Sequence, residues 1–116
     1  MQFDHLTIAL LVTGPDAPQL DEREAAALQD AHLAHLAGLH EAGPLLAAGP
    51  LLGDGSFRGL SILRVAPEEA RRLKEEDAAV RAGVFSVKVL PWMVPAGAIA
   101  FARTRFPRSS AEATSG

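Results

Sequence analysis

Turn-forming clusters divide this chain into short pieces, and their placement constrains the fold more than any other feature. They are Thr13-Gly14-Pro15-Asp16, Gly43-Pro44, Gly53-Asp54-Gly55-Ser56, Pro67, Gly83 and Pro91-Trp92. Proline removes a backbone donor and fixes φ, while glycine admits left-handed backbone, so each cluster ends the element before it or starts the next. The first piece, Phe3 to Val12, alternates: Leu6, Ile8, Leu10 and Val12 share one face, and Phe3, His5, Thr7, Ala9 and Leu11 the other. That spacing predicts a strand. Asp21, Glu22, Arg23 and Glu24 then put acidic residues at the positive end of a helix that runs through Ala- and Leu-rich sequence to Glu41 and stops at Gly43-Pro44.

Leu45 to Leu52, broken by Gly49-Pro50, and Gly59 to Val65 flank a Gly-rich turn and predict a hairpin, with Pro50 at a bulge or sheet edge. Pro67 suits the first turn of a second helix, Glu68 and Glu69 favour its N-terminus, and its pattern continues to Arg81. Val84 to Leu90 predicts a fourth strand closed by Pro91-Trp92. The order is βαββαβ, which predicts an α+β, ferredoxin-like domain with an antiparallel sheet and both helices on one face. The strands are apolar on both faces, so the uncovered sheet face is expected to pack on a second copy of the chain as a homodimer. Residues 1–96 form the expected domain and 97–116 a C-terminal extension. Gly97 to Arg105 could extend the sheet or cross to a neighbour, and Ser109 to Gly116 reads as a frayed polar tail.

Composition narrows the function. With 116 residues, of which 48% are hydrophobic, the chain is long enough for one core and too apolar for disorder. Lys plus Arg number 11 against 14 Asp plus Glu, a formal charge of -3, which argues against nucleic acid as a partner. The chain has 0 Cys, so disulfides, thiolate nucleophiles and Cys-held metals are excluded. The apolar N-terminus contains Asp4 and His5 and lacks a basic leader region, and no apolar run approaches the roughly 18 residues of a membrane span. The expectation is a cytoplasmic protein.

Two polar residues fall where apolar ones belong. On the first helix Ala25, Leu28, Leu36 and Leu39 form the buried stripe, and at about 100° per residue His32 lands in its middle. His35 and His40 lie at the borders of that stripe, where a half-exposed side chain fits. On the second helix Ala70, Leu73 and Val80 form the stripe, and Asp77 falls inside it, where a carboxylate needs a partner. His32 is the economical partner. Pairing would orient the imidazole and lower the Asp77 pKa through the opposite charge, with burial acting the other way, and would leave His32 as a general acid or base.

Plainer readings stand beside these. A histidine on an apolar stripe is often a core residue, and Asp77 is also a good N-cap for the turn Ala78 to Gly83. His5 lies on a strand and Trp92 is a core or interface anchor. Arg103, Arg105 and Arg108 read as a solvated tail, although Arg105 could fold back onto an anionic substrate. Glu68, Glu69, Arg71, Arg72, Lys74, Glu75 and Glu76 read as the wet helix face. The Gly53 to Gly59 loop joins two strands and lacks a phosphate-loop pattern. His32 with His35 or His40 has helical spacing, but without HExxH or a carboxylate on the same stripe no metal site is expected.

Four strings in order resemble the YCII-related (YciI-like) family: Ala31 to Leu36, Ala42 to Pro50, Glu76 to Phe85, and Leu90-Pro91-Trp92. The resemblance implies a dimeric α+β barrel, in which two ferredoxin-like sheets pack face to face. It implies that His32 and Asp77 match the family's active-site His and Asp, with Gly49-Pro50 near the same pocket. The family usually has Pro after that Asp, whereas this chain has Ala78, and residues 97–116 lie beyond its usual motif. The fold relation includes lyases and isomerases acting on small oxygenated rings, one member eliminating HCl from a chlorinated hydroxyhydroquinone.

The reading is therefore a lyase- or isomerase-type enzyme without a bound cofactor, in which His32 moves a proton on a small polar or aromatic acid and Asp77 orients it. Gly49, Pro50, His5, Trp92 and Arg105 are the expected substrate-binding residues. No well-placed nucleophile accompanies the pair, since Ser56, Ser61 and Ser86 have no motif around them, so proton abstraction fits better than acyl transfer. The alternatives are a metabolite-binding or regulatory module that returns its ligand unchanged, and a structural dimer in which the pair only fixes helix packing.

Overall fold

The computed structural model describes residues 1–115. Its elements are β1 (Phe3–Thr13), α1 (Glu22–Ala42), β2 (Leu45–Pro50), β3 (Phe57–Leu63), α2 (Pro67–Glu75), α3 (Ala78–Arg81), β4 (Phe85–Pro95) and α4 (Ser110–Thr114). The four strands form one antiparallel sheet in the order β2-β3-β1-β4, the ferredoxin-like arrangement predicted from the element order. Register shifts mark β1 at Leu11/Val12 and β2 between Leu45 and Ala47.

Period-2 alternation assigns the two faces. Ala9, Leu45 and Leu63 point to the helices and close a core with Leu36 of α1 and Ala70 of α2. Their strand neighbours Leu6, Leu46 and Val94 point to the other face. Helix α1 packs on β2, and α2 on β1 and β4. Asp21 caps α1 through a capping box: Glu24 N–H donates to Asp21 Oδ1 at 2.8 Å, and Asp21 N–H to Glu24 Oε1 at 3.4 Å. Gly14 is required where β1 ends, because a Cβ there would sit 2.1 Å from the Gly83 carbonyl oxygen.

The structure corrects several expectations. The second helix does not run unbroken to Arg81. It stops at Glu75, and Asp77, in extended backbone (φ -65, ψ 130), starts the separate turn α3. The fourth strand is not closed by Pro91-Trp92 but continues to Pro95. An edge position tolerates this, because a prolyl nitrogen there interrupts no further pairing. Gly97 to Arg105 forms no strand. It crosses the face opposite the helices, where Ile99 and Phe101 pack on Leu6, Leu46 and Val94. The chain then returns to the helical side at Phe106, and Ser109 caps α4 where a frayed tail was expected.

His40 is buried, not half-exposed. It stacks on Phe106 with ring centroids 4.1 Å apart, donates from Nδ1 to the Leu45 carbonyl and accepts the Thr104 N–H at Nε2. His35 instead joins α1 to α2, donating from Nε2 to the Leu73 carbonyl at 2.9 Å. Lys74, assigned to the wet face of its helix, is also buried completely.

Candidate active site

Helix α1 carries His32 over the sheet, and the break between α2 and α3 lowers Asp77 to meet it. The two oxygens of Asp77 have different partners. Oδ1 accepts the Ala79 N–H at 2.9 Å and so caps α3, while Oδ2 accepts His32 Nδ1–H at 2.5 Å. The capping reading and the pairing reading of Asp77 are therefore both correct. Asp77 is 0% exposed and the His32 side chain 12%.

Burial pushes the Asp77 carboxyl up, but the hydrogen bond and charge of His32, the Ala79 N–H and the nearby Lys74 ammonium together outweigh it. They hold the group below the ordinary carboxylate range. Asp77 is thus an acceptor at neutral pH, which assigns the proton of a neutral His32 to Nδ1 and leaves the Nε2 lone pair. Nε2 has no hydrogen-bond partner among the described residues, and no buried side-chain nitrogen or oxygen there is unpartnered, so Nε2 retains access to the space beside it.

That space is a cavity of about 510 Å³ between α1, the β2–β3 hairpin and the C-terminal segment. Its walls include Leu33 and Leu36 of α1, Leu60 and Ser61 of β3, Lys74, Phe85 and Phe106. The Phe85 ring lies 5.9 Å from that of His32, tilted by 58°. Mostly apolar walls with few polar groups, at this size, are typical of a small-molecule site. Gly49 and Pro50 line the same cavity.

Three expected substrate-binding residues are placed elsewhere. His5 and Trp92 line a separate concavity with Thr7, Pro67 and Met93, because both lie toward the far end of the β1–β4 pair, where His5 opposes Met93 and Leu6 opposes Trp92. The Arg105 side chain is 85% exposed and pairs with Glu112, which draws it out along α4. Among the described residues no three His, Asp or Glu side chains gather as metal ligands. No helix among them is long and apolar enough to cross a membrane.

Lys74 is the main residue that the sequence reading missed. Its Nζ–H donates to Ser61 Oγ at 3.1 Å, and burial pulls its ammonium down to about 8 against the opposing charge of Asp77. The signal was present: Lys74 lies four residues after Ala70 and three before Asp77, on the stripe that both occupy. Its charge argued for solvent, and only the packing of α2 on β1 and β4, which carries Nζ to Ser61 of β3, overrides that preference.

The YCII-related domain matches residues 8–93, a span that includes His32 and Asp77, all of α1, β2, β3, α2 and α3, and the greater part of β1 and β4. No curated protein matches the chain. A solved structure similar to this one is the 5-chloro-2-hydroxyhydroquinone dehydrochlorinase TftG from Burkholderia phenoliruptrix AC1100, in complex with 2,5-dihydroxybenzoquinone. The two share 25% sequence identity and superpose with a TM-score of 0.53, covering 75% of this chain and 92% of that one. A match over most of the chain, reinforced by a shared fold, identifies it: the chain belongs to the YCII-related family.

Proposed function

We propose that this protein is a small-molecule enzyme of lyase or isomerase type that works by general acid–base chemistry without a bound cofactor. The observation that carries this reading is the His32–Asp77 pair, whose Nε2 has no partner among the described residues and lies beside a largely apolar cavity of about 510 Å³. In this mechanism Nε2 takes a proton from a carbon or oxygen of a small polar or aromatic acid. The released electron pair forms a new double bond, and a leaving group departs or the bond migrates. Asp77 holds the imidazole in the reactive tautomer and stabilises the imidazolium that forms. The similarity to a dehydrochlorinase supports elimination as the first chemistry to assay.

Incubation with chlorinated hydroxyhydroquinones, reading chloride release, is the direct test. His32→Gln is expected to lower turnover roughly 10²- to 10⁴-fold. A variant that retains near wild-type turnover would remove His32 from the mechanism.

The same proposal includes a homodimer through the sheet face opposite the helices. Ile8, Leu10, Leu60 and Ile62 stay only half-buried on that face, and Leu90 is 37% exposed. Sedimentation should give twice the chain mass for the wild type and a lighter species for Leu10→Asp, whereas a monomeric wild type rules the dimer out.

A further inference from the structure

The cavity carries a charge bias that the His32–Asp77 pair does not explain. Beside His32 its lining contains the cations Arg58 and Lys74 and neither Asp nor Glu. Arg58 is exposed, and its guanidinium reaches the Gly55 carbonyl at 3.4 Å, so the charge fixed in the wall belongs to Lys74.

Lys74 is 0% exposed, and among the described residues its ammonium has one hydrogen-bond partner, Ser61 Oγ at 3.1 Å. An ammonium has three N–H donors, so two remain uncommitted. Asp77 supports the ammonium by charge alone: its carboxylate accepts from His32 and the Ala79 N–H, and no hydrogen bond joins it to Lys74. Ser61 is itself buried and accepts from Lys74, and its own hydroxyl proton goes to no described residue. A buried cation and hydroxyl with idle donors are costly to maintain without an acceptor. The rest of the cavity wall is mostly apolar, with Leu11, Leu33, Leu36, Phe85 and Phe106 in it beside the neutral polar Gln29, Ser110 and Thr114.

We infer that Ser61 and Lys74 form an anion subsite in this cavity, which holds the carboxylate or phenolate oxygen of a flat, largely apolar ligand. The Ser61 hydroxyl donates to that oxygen while the Lys74 ammonium behind it supplies the charge. With His32 taking the proton, a role that rests on the function proposed above, the cavity has a base backed by a carboxylate and a donor backed by an ammonium. Negative charge that develops on a substrate oxygen as the proton leaves is then stabilised by Ser61 and Lys74. Lys74 selects anionic over neutral ligands and Ser61 positions the oxygen.

Isothermal titration of the intact chain with benzoate, 2,4-dinitrophenolate and neutral benzamide tests this. At least one anion should bind the wild type about tenfold or more tightly than benzamide, the scale of a hydrogen bond to a charged group. Whichever anion is preferred identifies the carboxylate or the phenolate as the recognised group. Lys74→Met, nearly equal in volume, should erase that preference while leaving benzamide affinity within about twofold, since only the charged bond is lost. Ser61→Ala should weaken the anion several-fold and provides a second variant should Lys74→Met fail to fold. Equal wild-type affinity for anions and benzamide, no detectable anion binding, or an anion preference that survives both substitutions overturns the subsite. Labelling of Ser61 by a fluorophosphonate also overturns it, by making Ser61 a nucleophile. His32→Gln separates the two readings: anion preference retained with turnover absent in every form defeats the proton-transfer reading alone, and the subsite stands.

Discussion

At the scale of single residues, Asp77 decides what His32 can do. Replacing it with Asn retains an oxygen that can accept from Ala79 but turns an amide N–H₂ toward His32 Nδ1, where a carboxylate oxygen stood. Nδ1 must then accept, and the imidazole proton moves to Nε2, the nitrogen beside the cavity. Asp77→Asn is therefore expected to interchange the ¹⁵N shifts of the two His32 ring nitrogens and to lower turnover by roughly 10²- to 10⁴-fold, as loss of a general base does. Unchanged ¹⁵N shifts would show that Asp77 does not set the tautomer. Lys74 makes a prediction of opposite character. Burial lowers its pKa to about 8 from the ordinary 10.5, so between those values the unfolded chain holds a proton that the folded chain has released. Stability attributable to Lys74 thus rises with pH across that window, and the penalty is present in full below it. Lys74→Met should remove this slope and raise stability at neutral pH by on the order of 3 kcal/mol. A wild-type minus variant difference in unfolding free energy that stays flat over the same window would contradict this.

At the scale of elements, the break at Asp77 is what creates the site. Apolar spacing through Ala70, Leu73 and Val80 reads as one helix, since periodicity does not register a single capped interruption. The interruption is legible only in the residue type, because Asp at 77 is a good N-cap and a poor occupant of a buried stripe. Ala78 occupies the first position of α3, and its N–H makes no backbone hydrogen bond among the described residues. Asp77, at φ -65 and ψ 130, already has the extended conformation that a following proline imposes. Ala78→Pro should therefore stabilise the protein by roughly 0.4–1 kcal/mol, by restricting the unfolded chain, with the His32–Asp77 bond intact. A lower melting temperature for Ala78→Pro would show that α3 needs a freedom that proline removes. The same logic explains β4, where Pro91 looked like a strand end but lies in an edge strand.

At the scale of the whole molecule, the C-terminal segment ties the two sides of the sheet together and completes the cavity wall. Phe106 stacks on His40, Thr104 N–H donates to His40 Nε2 at 3.0 Å, Arg108 pairs with Glu41, and Ser110 N–H donates to Asp30 Oδ1 at 2.8 Å. Phe106, Pro107, Ser110, Ala113 and Thr114 then close one side of the cavity. Ending the chain after Ala102 removes the Phe106 packing, which is expected to cost roughly 2 kcal/mol and to open the apolar walls. A lower melting temperature with increased binding of an apolar dye should follow. If both readouts match the full chain, the segment does not contribute to the wall.

Local chemistry determined the identity and order of the strands and main helices, the helix caps and the anomaly of His32 and Asp77 on apolar stripes. Each of these depends on residues a few positions apart, and periodicity, turn chemistry and the dislike of a buried charge for an apolar stripe all act at that range. Tertiary structure decided where the anomalies lead. His32 and Asp77 are 45 residues apart in the chain, Lys74 and Ser61 13, and His40 and Thr104 64, and no local pattern encodes those distances. Lys74 is the clearest case, because its charge favours water and only the docking of α2 on β1 and β4, which brings its Nζ to Ser61 of β3, buries it. His5, Trp92 and Arg105 are the converse: their residue types suit a ligand site, but strand register and an ion pair place them away from it. The sequence thus set which groups need partners, and the packing of helices on the sheet chose the partners, because that choice depends on long-range contacts formed only once the core closes.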